Sequence, residues 1–279
     1  MIIWLASYPK SGNTWVRSFL SAYYYTPDGV FNFKLLKNIK QFPSKDFFNE
    51  RFSSVDEASD NWLIAQKKLK AQNELCFLKT HNVNGAYKGK KFTTSEFTAG
   101  AIYIVRDPRN VISSLMNHYS LDEKEALKMI NSIYRNLKDE NDSDNYSNYS
   151  FISSWAYNYN SWKLSKDINT LLIKYEDLEN DRNNTFEKIL QFTNKIIKEK
   201  NGIKYDKLKS AIETTNFDIL KKKEEEEGFD EAVFSIKERK VKSFFNLGNK
   251  NNYKNLLTSE TIKIVEKIFE KEMVELGYL

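Results

Sequence analysis

Four short apolar runs constrain the fold of this chain more than any other feature of it. They are Ile2–Ala6 (IIWLA), Leu75–Leu78 (LCFL), Ala101–Val105 (AIYIV) and Thr170–Ile173 (TLLI), each bounded by polar or turn-forming residues. Runs this short, rich in β-branched, aliphatic and aromatic residues, suit strands better than helices. Being apolar on both faces, they suit a central parallel sheet covered on both sides. Helical periodicity falls between and after them, over roughly residues 14–25, 57–72, 109–118, 122–137, 151–166, 183–194 and 259–275. Strands alternating with helices predict an α/β fold, a central parallel β-sheet flanked by helices and joined by crossovers. No internal repeat or proline-rich linker divides the chain, so residues 1–279 are read as one domain.

The last helical pattern has apolar residues at 262, 264, 265, 268, 269, 273 and 276, a start signal at Thr258/Ser259 and a stop at Gly277. Two segments break the alternation. Asp139–Ser150 (DENDSDNYSNYS) is polar and poor in aliphatics, which predicts an exposed loop. Lys221–Glu227 (KKKEEEE) is a charge block, expected as a solvated helix face or mobile lid. The opening residues carry no targeting signal, and no window approaches the 18 apolar residues of a membrane span, so a cytoplasmic protein without integral membrane association is expected.

Composition excludes several classes of function. One cysteine, Cys76, rules out an intrachain disulfide framework and multi-cysteine metal sites, and two histidines argue against a histidine-rich metal centre. The net charge of +5 is modest and spread along the chain, which disfavours nucleic-acid binding. With 36 Lys, 29 Asn and only 7 Arg, lysine is background here and arginine is scarce. Two of the seven arginines, Arg106 and Arg109, sit together.

Residues able to do chemistry concentrate just after each strand. After the first come Pro9, Lys10, Ser11, Gly12, Asn13, Thr14 and Trp15, then a helix. A helix start with a glycine, a lysine and hydroxyls suits a phosphate or sulfate, a P-loop-like arrangement although GxxxxGK[ST] is absent. A plain turn with a surface lysine has the same local signature. After the second strand come Lys79, Thr80 and His81; after the third, Arg106, Asp107, Pro108 and Arg109, with Ser113 and Ser114 along the next helix. Arg106 can clamp an anion bidentately or simply pair with Asp107 at a helix cap. After the fourth comes Tyr175, able to lie over a flat ligand. Parallel strands point these ends to one edge, where ligands bind. Together they suit a nucleotide-like ligand with two separated anionic groups, with His81 as a possible base.

These segments resemble the sulfotransferases that use 3′-phosphoadenosine 5′-phosphosulfate (PAPS). YPKSGNTW (8–15) is similar to that family's 5′-phosphosulfate loop, with Asn13 where Thr is more usual, and YIVRDPRNVISSLMNHY (103–119) to its 3′-phosphate segment. KTH (79–81) matches the segment carrying the catalytic base, and LLIKYEDL (171–178) the strand whose Tyr contacts adenine. TTNFDILKKK (214–223) resembles a segment near the nucleotide, and NYKNLLTSETIKIVEKIF (252–269) the approach to the last helix, with Tyr253 for Trp. Asn246-Leu247 stand where the family usually has Arg-Lys before the Gly matched by Gly248. Arg239, Lys240, Lys242 or Lys250 are the candidates to replace them.

The resemblance implies in-line sulfuryl transfer from PAPS to a hydroxyl or amine, releasing 3′-phosphoadenosine 5′-phosphate (PAP), with no metal. It implies His81 as general base, with Lys10 and Lys79 stabilising charge. The nucleotide is then held by Lys10, Ser11, Gly12, Asn13, Thr14, Trp15, Arg106, Ser114, Tyr175, Thr215, Phe217 and Gly248. The acceptor is a small molecule or soluble glycan. Aromatic stretches at Tyr23–Tyr25, Phe31–Phe33, Phe47–Phe52 and Tyr146–Tyr159 could wall an apolar acceptor pocket. The alternatives are a P-loop-type nucleotide kinase and a non-catalytic nucleotide-binding module.

Overall fold

A computed structural model of the chain describes residues 1–48, 50–72, 75–136, 149–235 and 239–279. All four apolar runs are strands of one sheet. β1 (Ile2–Ser7) lies between β2 (Cys76–Thr80) and the strand Thr98–Val105, and the strand Thr170–Lys174 forms the far edge. Every neighbouring pair is parallel, with Trp4 opposite Leu78 and Ala101.

Alternation along β1 sends Ile2, Trp4 and Ala6 into one apolar cluster and Ile3 and Leu5 into another. The first cluster is built around Trp4, Trp62, Trp155 and Trp162, the second around Trp15, Phe19, Ile104 and Phe186. Both faces of the sheet are therefore covered, which is why its strands read as unbroken apolar runs.

Helices form at all the expected places, with informative differences in extent. The 14–25 pattern is α1 (Asn13–Tyr25), and the 109–118 pattern is the helix Pro108–Tyr119, opened by Pro108 and capped by the Asp107 side chain. The 57–72 pattern is two helices, Val55–Ser59 and Trp62–Ala71. The 122–137 pattern stops early, as Glu123–Asn131 behind an Asp122/Glu125 capping box; its residue 137 lies outside the described residues. The 151–166 and 183–194 patterns are Trp155–Lys163 and Arg182–Ile197. The last pattern breaks at Phe269, whose non-helical backbone separates Ser259–Ile268 from Glu270–Leu276 while its ring packs against Trp155.

The helix Tyr205–Thr214 and the hairpins Ala86–Tyr87/Lys90–Lys91 and Val233–Ser235/Lys240–Lys242 go beyond the sequence patterns. The charge block lies in the helix Phe217–Glu227, but its Glu224 is buried. That carboxylate accepts from the Ser243 hydroxyl (3.0 Å) and the Phe244 and Phe245 amides (2.6 and 2.8 Å), pinning 243–245 to the helix. Of the loop expected over 139–150, residues 139–148 lie outside the described residues, and Tyr149 and Ser150 are buried rather than exposed. Among the described residues no helix is long and apolar enough to cross a membrane.

Arg109 ties the C-terminal helices to the sheet. Its guanidinium donates to Asp107 (2.6 Å), to Glu266 (2.6 Å) and to the Tyr278 carbonyl (2.9 Å), and it stacks on Tyr253. Replacing it with an apolar side chain strands two carboxylates, one of them buried, and breaking such a pair costs about 3–5 kcal/mol. Arg109→Met is expected to lower the urea unfolding free energy by that order; a loss under ~1 kcal/mol would show the tie to be dispensable.

Candidate active site

Because the strands run the same way, their C-terminal ends share one edge, and a cleft of 1130 Å³ opens there. Each strand end contributes to its wall. Lys10, Gly12, Asn13, Thr14 and Trp15 come after β1, Lys79 and His81 from the end of β2, Arg106 after the third strand and Tyr175 after the fourth.

The loop after β1 has a demanding backbone. Lys10 (φ 67°) and Gly12 (φ 94°) are both left-handed. A Cβ on Gly12 would lie 2.5 Å from Cδ2 of Tyr175, so this position needs glycine for its conformation and for the ring beside it. Asn13 donates from its amide to the Leu5 carbonyl (3.0 Å) and the Ser7 hydroxyl (3.1 Å), tying the loop to the strand before it. The first amides of α1 have no partner within the helix, and its first turn holds no acidic residue, which favours an anion there.

Lys10 is partly buried, with Nζ 3.8 Å from the Phe244 ring centroid and 3.5 Å from His118 Nδ1. Burial, reinforced by the charges of Lys79 and Arg106 and partly opposed by Glu231, lowers its pKa to about 7. His81 is fixed through Nδ1, 2.8 Å from the Ser7 carbonyl. A carbonyl only accepts, so Nδ1 carries the proton and Nε2 of the neutral ring carries the lone pair. Burial, then the charge of Lys79, lowers the pKa of His81 to about 3.

Arg106 does not pair with Asp107. That carboxylate is engaged by Arg109, while Arg106 lies 3.9 Å over the Tyr175 ring and donates to the Lys10 carbonyl (3.2 Å). Its Nε is buried without a hydrogen-bond partner among the described residues, as are Ser11 Oγ, Asn13 Oδ1 and Trp15 Nε1. An unpaired buried polar group costs about 1–3 kcal/mol, and three of these, Asn13 Oδ1, Trp15 Nε1 and Arg106 Nε, belong to residues that line the cleft. That concentration is characteristic of a cradle for a polar ligand.

Other expected residues fall less evenly. Ser114, Phe217 and Gly248 line the cleft, whereas Ser11 and Thr215 do not. Ser11 is buried in the loop, and Thr215 spends its hydroxyl on the Ala211 carbonyl (2.6 Å). Asn246 and Leu247 are part of the wall, and none of Arg239, Lys240, Lys242 or Lys250 joins them. Among the described aromatics of the four expected pocket stretches, only Phe33 reaches the cleft; Tyr23 and Phe31 are core. Exposed lysines, Lys34, Lys37, Lys40 and Lys45, line the cleft as well.

His118, Arg17 and Glu231 are among the wall residues that the sequence reading does not single out. His118 stands four residues after Ser114 on the same helix face, a spacing that could have drawn attention to it. Burial, followed by the charge of Lys10, depresses its pKa to about 2. Arg17 and Glu231 pair at 2.5 Å across 214 residues of chain, and no local signal announces such a pair.

The comparisons with known proteins agree with this architecture. The solved structures that resemble the chain include retinol dehydratase with androsterone and the inactive cofactor PAP (15% identity over 98% of this chain and 80% of that one, TM-score 0.62). They also include retinol dehydratase with retinol and PAP (17%, 98% and 81%, 0.60) and mouse sulfotransferase SULT7A1 with PAP (17%, 97% and 83%, 0.56). At these identities the likeness is one of fold. The model of the sulfotransferase domain matches residues 2–277, and the chain belongs to that family.

The environment of Lys10 is open to direct test. Competitive acetylation of the ligand-free protein across pH 6–9, read by peptide mass spectrometry, is expected to show Lys10 titrating near 7. Exposed lysines should titrate near 10.4. A Lys10 midpoint close to 10 would refute its burial among the neighbouring cations.

Proposed function

We propose that this protein transfers the sulfuryl group of PAPS to a hydroxyl or amine acceptor, with His81 as general base. The observation that carries the reading is the convergence of Lys10, Lys79 and Arg106 on one cleft whose loop holds partnerless buried polar atoms. Family membership supports sulfuryl transfer, and PAP in the three related structures supports the donor. The kinase alternative is not favoured, since the chain is a sulfotransferase-family member without GxxxxGK[ST].

The residues present fit this donor. Its two anionic ends match two cationic stations, the Lys10–Trp15 loop for the 5′-phosphosulfate and Arg106 with Ser114 for the 3′-phosphate. Between them Trp15 and Tyr175, edge to face at 5.8 Å, offer an aromatic corner for the base, with Phe217 held against Gly248 nearby.

In the transfer, a bond forms between the acceptor oxygen or nitrogen and sulfur while the bond from sulfur to the 5′-phosphate oxygen breaks, and PAP departs. His81 takes the acceptor proton on Nε2, the ring nitrogen that the Ser7 contact does not use. A base with so low a pKa is neutral at physiological pH, and the negative charge of the donor beside it raises its basicity. Lys10 and Lys79 stabilise charge developing on the departing oxygen and the sulfuryl group. Exposed Lys34, Lys37, Lys40 and Lys45 line the cleft beside Phe33, Phe229 and Phe234, which supports an acceptor with both polar and apolar parts, a small molecule or a soluble glycan.

His81→Ala is expected to lower kcat by about 10²–10⁴-fold while leaving the Kd for PAP nearly unchanged, measured by PAP release and by calorimetry. Near-normal turnover would remove His81 from the base role. Arg106→Ala is expected to weaken PAP far more than 5′-AMP, which lacks the 3′-phosphate. Equal weakening would contradict that assignment.

A further inference from the structure

The first turn of α1 carries no acid of its own, yet a carboxylate sits against it. Glu231 comes from the segment between the helix Phe217–Glu227 and the strand Val233–Ser235. It accepts from the Thr14 hydroxyl at 3.0 Å, from Lys79 Nζ at 3.1 Å and from Arg17 Nη1 at 2.5 Å. The segment is held in place from behind, where Phe229 packs on Phe33, Phe244 and Phe245. Arg17 is itself fixed by the Ile39 and Leu36 carbonyls, both at 2.7 Å, so the carboxylate meets a rigid partner.

Two of these three donors have another claimant. Under the sulfotransferase function, on which this inference rests, Thr14 and Lys79 face the phosphosulfate end of the donor. A carboxylate and a sulfuryl group both present anionic oxygens to N–H and O–H donors, and one set of donors cannot hold both. Burial alone would raise the Glu231 carboxyl, but Lys79 and Arg17 outweigh it and keep it well below the usual carboxylate range, so it stays ionised.

We propose that Glu231 is an internal anion occupying the sulfuryl subsite, exchanged out when PAPS binds, and that it thereby sets the preference between donor and product. PAP lacks the sulfuryl group. It can use the loop amides and Lys10 together with Arg106, giving up at most the Thr14 hydroxyl, while Glu231 keeps Lys79 and Arg17. PAPS cannot. The carboxylate therefore opposes the donor more than the product, and its return to Lys79 accompanies the loss of the sulfuryl group to the acceptor.

The test is calorimetric binding of PAPS, without acceptor, and of PAP to the full chain and to Glu231→Gln and Glu231→Ala. Glu231→Gln keeps the size of the side chain and removes its charge. PAPS is expected to bind at least about tenfold more tightly to both variants, with PAP changed by less than about threefold. Tenfold corresponds to about 1.4 kcal/mol. A second readout guards against misfolding: the melting temperature of ligand-free Glu231→Gln should fall, because Lys79 and Arg17 lose their anion, and PAPS should raise it more than in the parent. Unchanged or weaker PAPS binding with normal PAP binding would overturn the inference and leave the sulfotransferase reading intact. Equal tightening of both nucleotides would overturn the subsite assignment. A parent protein that bound neither would overturn the reading beneath it.

Discussion

Like charges crowd the rim of the buried sheet, and much of the local structure is a response to their repulsion. Lys10, Lys79 and Arg106 each arrive from a different strand end, so the sheet itself forces them together. In a partly desolvated cleft such charges repel far more strongly than in water. The relief is visible around each of them. Lys10, buried first and crowded second, loses proton affinity and lies on the Phe244 ring, Arg106 stacks on Tyr175, and Lys79 takes the Glu231 carboxylate. None of these arrangements neutralises the cleft fully, and a multiply charged anionic ligand does so at once.

The scaffold keeps Arg106 from its nearest carboxylate. Asp107 is the adjacent residue to Arg106, and an ion pair between them would disarm the site. Arg109 forestalls it by binding Asp107 in a fork, with Glu266 and the Tyr278 carbonyl completing its hydrogen bonds. The C-terminal helices thus do more than cover the sheet, since they hold Arg109 where it keeps Arg106 available. On the other side, the left-handed turn at Lys10 and Gly12 brings the loop under Tyr175, closer than any side chain at position 12 would allow.

Much of this was legible in the sequence, for identifiable reasons. The strands were, because a sheet covered on both faces writes unbroken apolar runs, and Trp4 and Leu5 mark its two sides. The positions of Lys10, Lys79, Arg106 and Tyr175 at one edge came from parallel topology. The meeting of distant segments was not legible. Glu231 carries no local mark that distinguishes it from the solvated glutamates beside it, and its role depends on a turn after the helix Phe217–Glu227. Glu224 looks like part of a solvated block, and its burial arises from the amides of 244 and 245. The aromatic stretches misled for the opposite reason. Tyr23 and Phe31 serve the core, and apart from Phe33 the rings that line the cleft, such as Phe229, Phe234 and Phe244, come from other segments, beside lysines.

If the crowding of cations is the organising constraint, then filling the cleft with an anion must return a proton to Lys10. At pH 8 an amine with a pKa of about 7 is roughly nine-tenths uncharged, and beside bound phosphate it regains its charge. Calorimetric titration of PAP at pH 8, repeated in buffers of differing ionisation enthalpy, measures that proton directly. Uptake approaching one proton per PAP bound is predicted. Binding with no uptake, or with release, would contradict the central role given to these cations.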